Sequence, residues 1–112
     1  MDELLKILAK SGLPFAYDHF AEGESPEPPF ICYLLPGSDN FSADGRVYFK
    51  VNEVRLELYT DYKDLALEKK LEGVLDAHGI FYGKSETWIE SEKLYEVLYS
   101  FEMEGENNAQ EK

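Results

Sequence analysis

The sequence predicts an α+β fold, a mostly antiparallel twisted sheet of about four to six strands with two helices, near residues 2–11 and 62–78, packed on it. Three observations predict it. Two stretches place apolar residues at helical spacing, and several shorter runs alternate or stay apolar over strand lengths. Runs of strands are interrupted by a helix, and the short connections favour antiparallel neighbours.

The chain is organised around its longest β-rich run, Val47–Thr60. Val54, Leu56 and Leu58 share one parity, with Glu53, Arg55, Glu57 and Tyr59 on the other. In the first half the apolar residues Val47, Phe49 and Val51 occupy the opposite parity, so the run is not one ideal half-buried strand. Two arrangements account for the phase change: a bulge near Asn52-Glu53, or a first half buried on both faces, where an oligomer contact supplies the second burial.

Asp2–Ser11 reads as a helix whose apolar face is Leu4, Leu5, Ile7 and Leu8. Asp2 and Glu3 suit its positive end, Lys6 and Lys10 the other; Gly12 stops it and Pro14 prevents resumption. Phe15–Phe20 reads as a short strand. Glu22–Pro29 holds three of the five prolines and reads as an extended surface linker. Phe30–Leu35 is a continuous apolar run, a strand buried on both faces, ended by Pro36-Gly37. Ser38–Arg46 is a long connection with Phe41 in its middle and an Asp44-Gly45 turn signal before the main strand.

After that strand, Asp61 or Asp64 caps a helix running to about His78. Leu67, Leu71, Val74, Leu75 and His78 form its stripe, Lys63, Glu68, Lys69 and Glu72 largely cover the rest, and Gly79 closes it. Ile80-Phe81-Tyr82 begins a strand that a turn at Gly83-Lys84 interrupts and Thr87-Trp88-Ile89 resumes. Ser91-Glu92 turns the chain into a last strand, Lys93–Met103, with Tyr95, Val97, Tyr99, Phe101 and Met103 on one parity. Residues 1–104 are expected to form a single α+β domain and residues 105–112 a disordered acidic tail.

Composition excludes several function classes. The chain has 112 residues, 44% of them hydrophobic, enough for one globular domain. No run approaches the roughly 20 apolar residues of a bilayer span, so no membrane partner is expected. The acidic, periodic N-terminus is unlike a signal peptide, which points to synthesis in the cytoplasm. The single cysteine, Cys32, rules out an internal disulfide and a multi-cysteine zinc site, and its apolar surroundings suit a small buried thiol. Net charge is −12, which disfavours nucleic acid as a ligand because phosphate binding depends on clustered Lys and Arg. Solubility and mutual repulsion explain the charge, and an acidic wall also suits DNA passing without sticking.

Catalytic constellations do not emerge. His19 and His78 have no second histidine at metal spacing, and a Cys32–His19 pair has no local signature. Asn40-x-Ser42-x-Asp44-Gly45 mimics the opening of a calcium loop, but the twelfth position, which requires Glu, is Val51. Glu53 and Glu57 share a strand face with Arg55 between them, which reads as a charge ladder. Phosphate loop, dinucleotide fingerprint and nucleophile elbow are all missing from the sequence. Neither enzyme activity nor a metal or cofactor is expected. Aromatics, by contrast, make up 14% of the chain, more than its core can hold, so some belong at a surface suited to protein contacts.

Most of the chain, residues 1 to about 103, resembles small proteins of tailed phages and prophages of Gram-positive bacteria. The resemblance is carried by Leu13–Phe20, Pro28–Tyr33, Ser38–Tyr48, Glu57–Asp61, Leu75–Ile80 and Tyr95–Tyr99. These proteins are similar to tail-terminator, or tail-completion, components of long non-contractile tails; head-completion and minor tail proteins share their size and gene context. The resemblance implies a non-enzymatic virion protein forming a hexameric ring at the head-proximal end of the tail tube. Its implied partners are further copies of itself, the tail tube protein and the head connector, with DNA passing the lumen unbound. It supplies no catalytic residues. The candidate contact residues toward a neighbouring subunit or the tail tube are Asp39, Asn40, Phe41, Arg46 and Tyr48. An acidic adaptor binding a basic protein in the cytosol is the alternative reading.

Overall fold

The N-terminal apolar face forms α1, Asp2–Ser11. Leu4, Ile7, Leu8 and Ser11 are buried as one stripe, but Leu5, expected on the same face, is exposed, because it lies about 100° round the helix from Leu4 and off that stripe. Gly12 ends the helix in the left-handed region at φ 75°, its N–H donating to Ala9 at 3.2 Å. This computed structural model describes residues 2–37, 41–43, 46–49 and 51–104, with side chains described for 3–37 and 51–104. The expected tail, 105–112, lies outside them.

Strands β1 (Phe15–Tyr17), β2 (Phe30–Leu34), β3 (Phe41–Ala43), β4 (Arg46–Phe49) and β5 (Val51–Thr60) precede helix α2 (Leu65–Ala77), and β6 (Tyr82–Ile89) and β7 (Leu94–Glu104) follow it. The main sheet has five strands in the order β1-β2-β5-β7-β6. Its pairings are antiparallel except β1 with β2, so the sheet is mixed. The fold is α+β, as expected from the sequence.

Four boundaries differ from that expectation. The expected strand Phe15–Phe20 stops at Tyr17, where Asp18 takes a φ of 67° and turns the chain out of the sheet. The second helix starts at Leu65 rather than near 62, because Asp64 is the N-cap, its Oδ1 accepting the Leu67 N–H at 3.1 Å. No turn interrupts β6 at Gly83-Lys84; as an edge strand paired throughout with β7, it needs no alternating apolar pattern.

The fourth difference concerns Val47–Thr60. No bulge sits near Asn52-Glu53, where the register with β7 is continuous, and the side chains of 47–50 lie outside the described residues. The run divides into β4, which pairs with β3 in a separate two-stranded sheet, and β5, the centre of the main sheet. The change of sheet falls between Phe49 and Val51, so Val47 and Phe49 need not share the parity of Val54, Leu56 and Leu58. Ser38–Arg46 contains a strand of its own, and Asp44 and Gly45, the expected turn, fall between two paired strands but outside the described residues.

Both helices cover one face of the main sheet. Leu4, Ile7 and Leu8 of α1 and Leu71 and Leu75 of α2 pack on Ile31, Val54, Leu56, Leu58, Val97, Tyr99 and Phe101. The strand residues are in cross-strand register, Ile31 with Leu58 and Val97, Tyr33 with Leu56 and Tyr99, so one pleat face is continuous. On the other face, the segment after β1 returns over β2: Phe20 packs edge-on against Phe30, whose ring stacks on Tyr59 at 5.2 Å. This cover explains why Phe30, Ile31 and Cys32 are buried in succession, on both faces of β2.

Candidate functional site

The end of α2 sets the geometry of the most exposed apolar surface. Gly79 has φ 70°, and the Ile80 N–H donates to Leu75 O at 3.0 Å, closing the helix with a left-handed cap. Beyond this cap Ile80 packs against the core, whereas Phe81 is 96% exposed. β6 then begins at Tyr82, opposite Phe101, so among the described residues Glu102, Met103 and Glu104 of β7 are paired on one side only, with β5. The result is a groove of about 760 Å³ at this end of the sheet. Ile80, Phe81, Phe101 and Met103 give it apolar surface; Glu3, Glu102 and Glu104 give it charge. His78 lies on its wall, 3.1 Å from Glu3 and 3.2 Å from Lys10, and joins α2 to α1.

Other aromatics reach the surface, as the composition implied. Tyr17, Tyr62 and Trp88 are exposed. Trp88 keeps its ring 4.7 Å from that of Tyr95 and donates its indole N–H to Glu90 at 2.8 Å.

Of the sequence-predicted contact residues, Asp39 and Asn40 lie outside the described residues. Phe41 is in β3, and Arg46 and Tyr48 are in β4. The register sets Phe41 opposite Phe49 and Ala43 opposite Arg46, which brings the two strand stretches into one hairpin. The side chains of Phe41, Arg46 and Tyr48 also lie outside the described residues. Sequence reasoning put Phe81 in a strand beginning at Ile80 and did not single it out; the strand begins at Tyr82 and leaves Phe81 outside it.

Two polar clusters lie on opposite faces of the sheet. Under α2, buried Glu68 accepts Lys63 Nζ at 2.6 Å, and Lys84 Nζ lies 3.0 Å from its other oxygen without the alignment of a hydrogen bond. Lys84 donates to Glu72 at 2.6 Å, and Lys63 also pairs with Glu86. The bond to Glu72 is the chief influence raising Lys84, and bonds to Glu68 and Glu86 raise Lys63. The sequence placed Glu68 on the outer covering of the helix; it is buried because lysines from outside α2 neutralise it.

On the opposite face, the Tyr59 hydroxyl lies 2.9 Å from Glu57 Oε1 and 2.8 Å from Glu96 Oε2. One phenolic hydrogen serves two carboxyl groups there. Burial pushes Glu57 above its ordinary value, with Glu96 adding repulsion, while the Tyr59 bond and Arg55 oppose the shift. Cys32, opposite Glu57 across the β2–β5 pair, is buried and pushed up to about 11, first by burial and then by Glu57. A thiol so raised is a poor nucleophile at neutral pH. His19 is exposed and hydrogen-bonded to Asp18 at 2.9 Å. Among the described residues, no group of three or more His, Cys, Asp or Glu side chains converges as metal ligands.

Comparison with known proteins adds a likeness of fold. No family model matches the chain, and no curated protein matches it. Its fold is similar to a chain in the virion of a native gene transfer agent particle, with a TM-score of 0.54 at 16% identity, over 88% of this chain and 84% of the other. At that identity the likeness is one of fold.

Proposed function

We propose that this chain is a non-enzymatic structural protein of a phage-type virion. In the finer reading it is a tail terminator, or tail-completion protein, forming a ring at the head-proximal end of the tail tube and joining tail to head. The observation that carries this reading is the fold it shares, across most of both chains, with a component of a gene transfer agent virion.

Three features support it. Large exposed aromatics, Phe81 foremost, suit a subunit that buries them against other subunits. The β3–β4 hairpin contains Phe41, Arg46 and Tyr48 and follows Asp39 and Asn40, the residues proposed here to touch a neighbouring subunit or the tail tube. A charge of −12 per subunit suits a lumen through which DNA slides without binding. The chain's partners in this reading are copies of itself, the tail tube protein and the head connector, and it takes no cofactor.

Gold-labelled antibody against the protein, applied to intact particles from a strain that encodes it, tests the reading. Label at the head–tail junction is expected. Particles without label, with the protein found free in the cytosol bound to a basic partner, would overturn it in favour of an acidic adaptor.

A further inference from the structure

The β3–β4 hairpin and the groove beside Phe81 have complementary deficits. β3 and β4 pair with each other and, among the described residues, with no strand of the main sheet. A lone two-stranded hairpin is at best marginally stable in water and needs a third strand or a packed face. Its sequence, Phe41-Ser42-Ala43 and Arg46-Val47-Tyr48-Phe49, is rich in aromatic and β-branched residues, suited to a half-buried surface. The groove offers such a surface: the edge of Glu102–Glu104, unpaired among the described residues, with Ile80 and Met103 half-buried and Phe81 exposed beside it. An open strand edge next to apolar side chains is what strand addition uses.

Charge favours the same pairing. Residues 41–50 hold Arg46 and Lys50 against Asp44, a net +1 in a chain of net −12. The groove presents Glu3, Glu102 and Glu104, and among the described residues neither Lys nor Arg lines it. We propose that the β3–β4 hairpin of one copy of this chain seats in the groove beside Phe81 of the next copy. This deepens the ring reading above and rests on it. Donor and acceptor differ, so the contact is head-to-tail. Both belong to the end of the sheet where β5 begins at Val51 opposite Glu104.

Thiol cross-linking tests the assignment. Two differently tagged full-length chains, one carrying Val47→Cys and the other Glu104→Cys, are mixed at high concentration with a short bis-maleimide; the parent chain, whose single thiol is buried, is the control. A mixed-tag dimer is expected as the main product. Adding Phe81→Ala to the Glu104→Cys chain should weaken association by roughly tenfold or more, as truncating an interface aromatic does. Folding should survive that change because the side chain is almost fully exposed. In a chain carrying both cysteines, bridging within one molecule at high dilution would overturn the proposal by seating the hairpin on its own groove. Rings seen by electron microscopy without mixed-tag cross-links would overturn the proposal and leave the ring reading standing. Neither rings nor cross-links at any concentration would overturn both.

Discussion

The Tyr99 hydroxyl donates to Glu72 Oε2 at 2.7 Å, and Lys84 Nζ donates to the same oxygen at 2.6 Å. One carboxylate of α2 therefore holds the second-from-edge strand and the edge strand β6 under the helix. Burial, then the Glu72 bond, raises Tyr99, which keeps the phenol protonated as the donor. Tyr99→Phe retains the ring and deletes the bond. It should cost about 1 kcal/mol, since Glu72 keeps Lys84 as a partner. The midpoint of urea unfolding should fall with an unchanged slope.

Glu68 is 2% exposed and depends on lysines from outside its helix. Glu68→Gln keeps the shape and removes the charge that Lys63 and Lys84 face. A loss of about 1–2 kcal/mol is expected, because both lysines are partly exposed and keep Glu86 and Glu72. Thermal unfolding of the variant beside the parent checks it.

The Glu57–Tyr59–Glu96 cluster gives a pH dependence of defined sign. Glu57 is raised in the fold from an ordinary 4.5, so its contribution to stability is fully present below pH 4.5 and is lost as pH rises through the raised folded value. Glu72 is lowered, chiefly by Lys84 and Tyr99 against the effect of burial; its contribution is present above 4.5 and is lost as pH falls through its lowered value. Groups facing Glu57 are Arg55, Tyr59, Glu96, Asp18 and Cys32. Glu57→Gln should raise stability at neutral pH and remove the loss above pH 4.5, a change read from urea unfolding across that range.

Surface and core aromatic or aliphatic positions should separate cleanly. Phe81→Ala should change stability by no more than about 0.5 kcal/mol, whereas Leu75→Ala, in the packed core, should cost about 2–5 kcal/mol. Phe41→Ala is expected to leave thermal unfolding almost unchanged while abolishing ring or tail association. A large stability loss on Phe41→Ala would instead assign that ring to the core.

Much of the fold was legible in the sequence because periodicity records burial. Leu71 and Leu75 sit where the α2 stripe put them, and Tyr95–Met103 face the helices on the parity read from the chain. Periodicity does not record which sheet a strand joins, so the division of Val47–Thr60 into β4 and β5 was not legible in it. Nor does it mark a buried charge: Glu68 is held by Lys63 and Lys84, which lie in no sequence pattern with it. Phe81 was unreadable for the converse reason, since the sheet simply ends beside it. The proposed contact residues Asp39, Asn40, Phe41, Arg46 and Tyr48 came from resemblance and loop length, and the structure adds the hairpin that contains three of them.

The most direct measurement is electron microscopy of particles from a producing strain with this one gene deleted. The account predicts filled heads beside detached tails of irregular, extended length, because an uncapped tube keeps growing. Detached tails of normal length would contradict termination and assign the chain to joining alone. Intact, infectious particles would contradict the virion role itself.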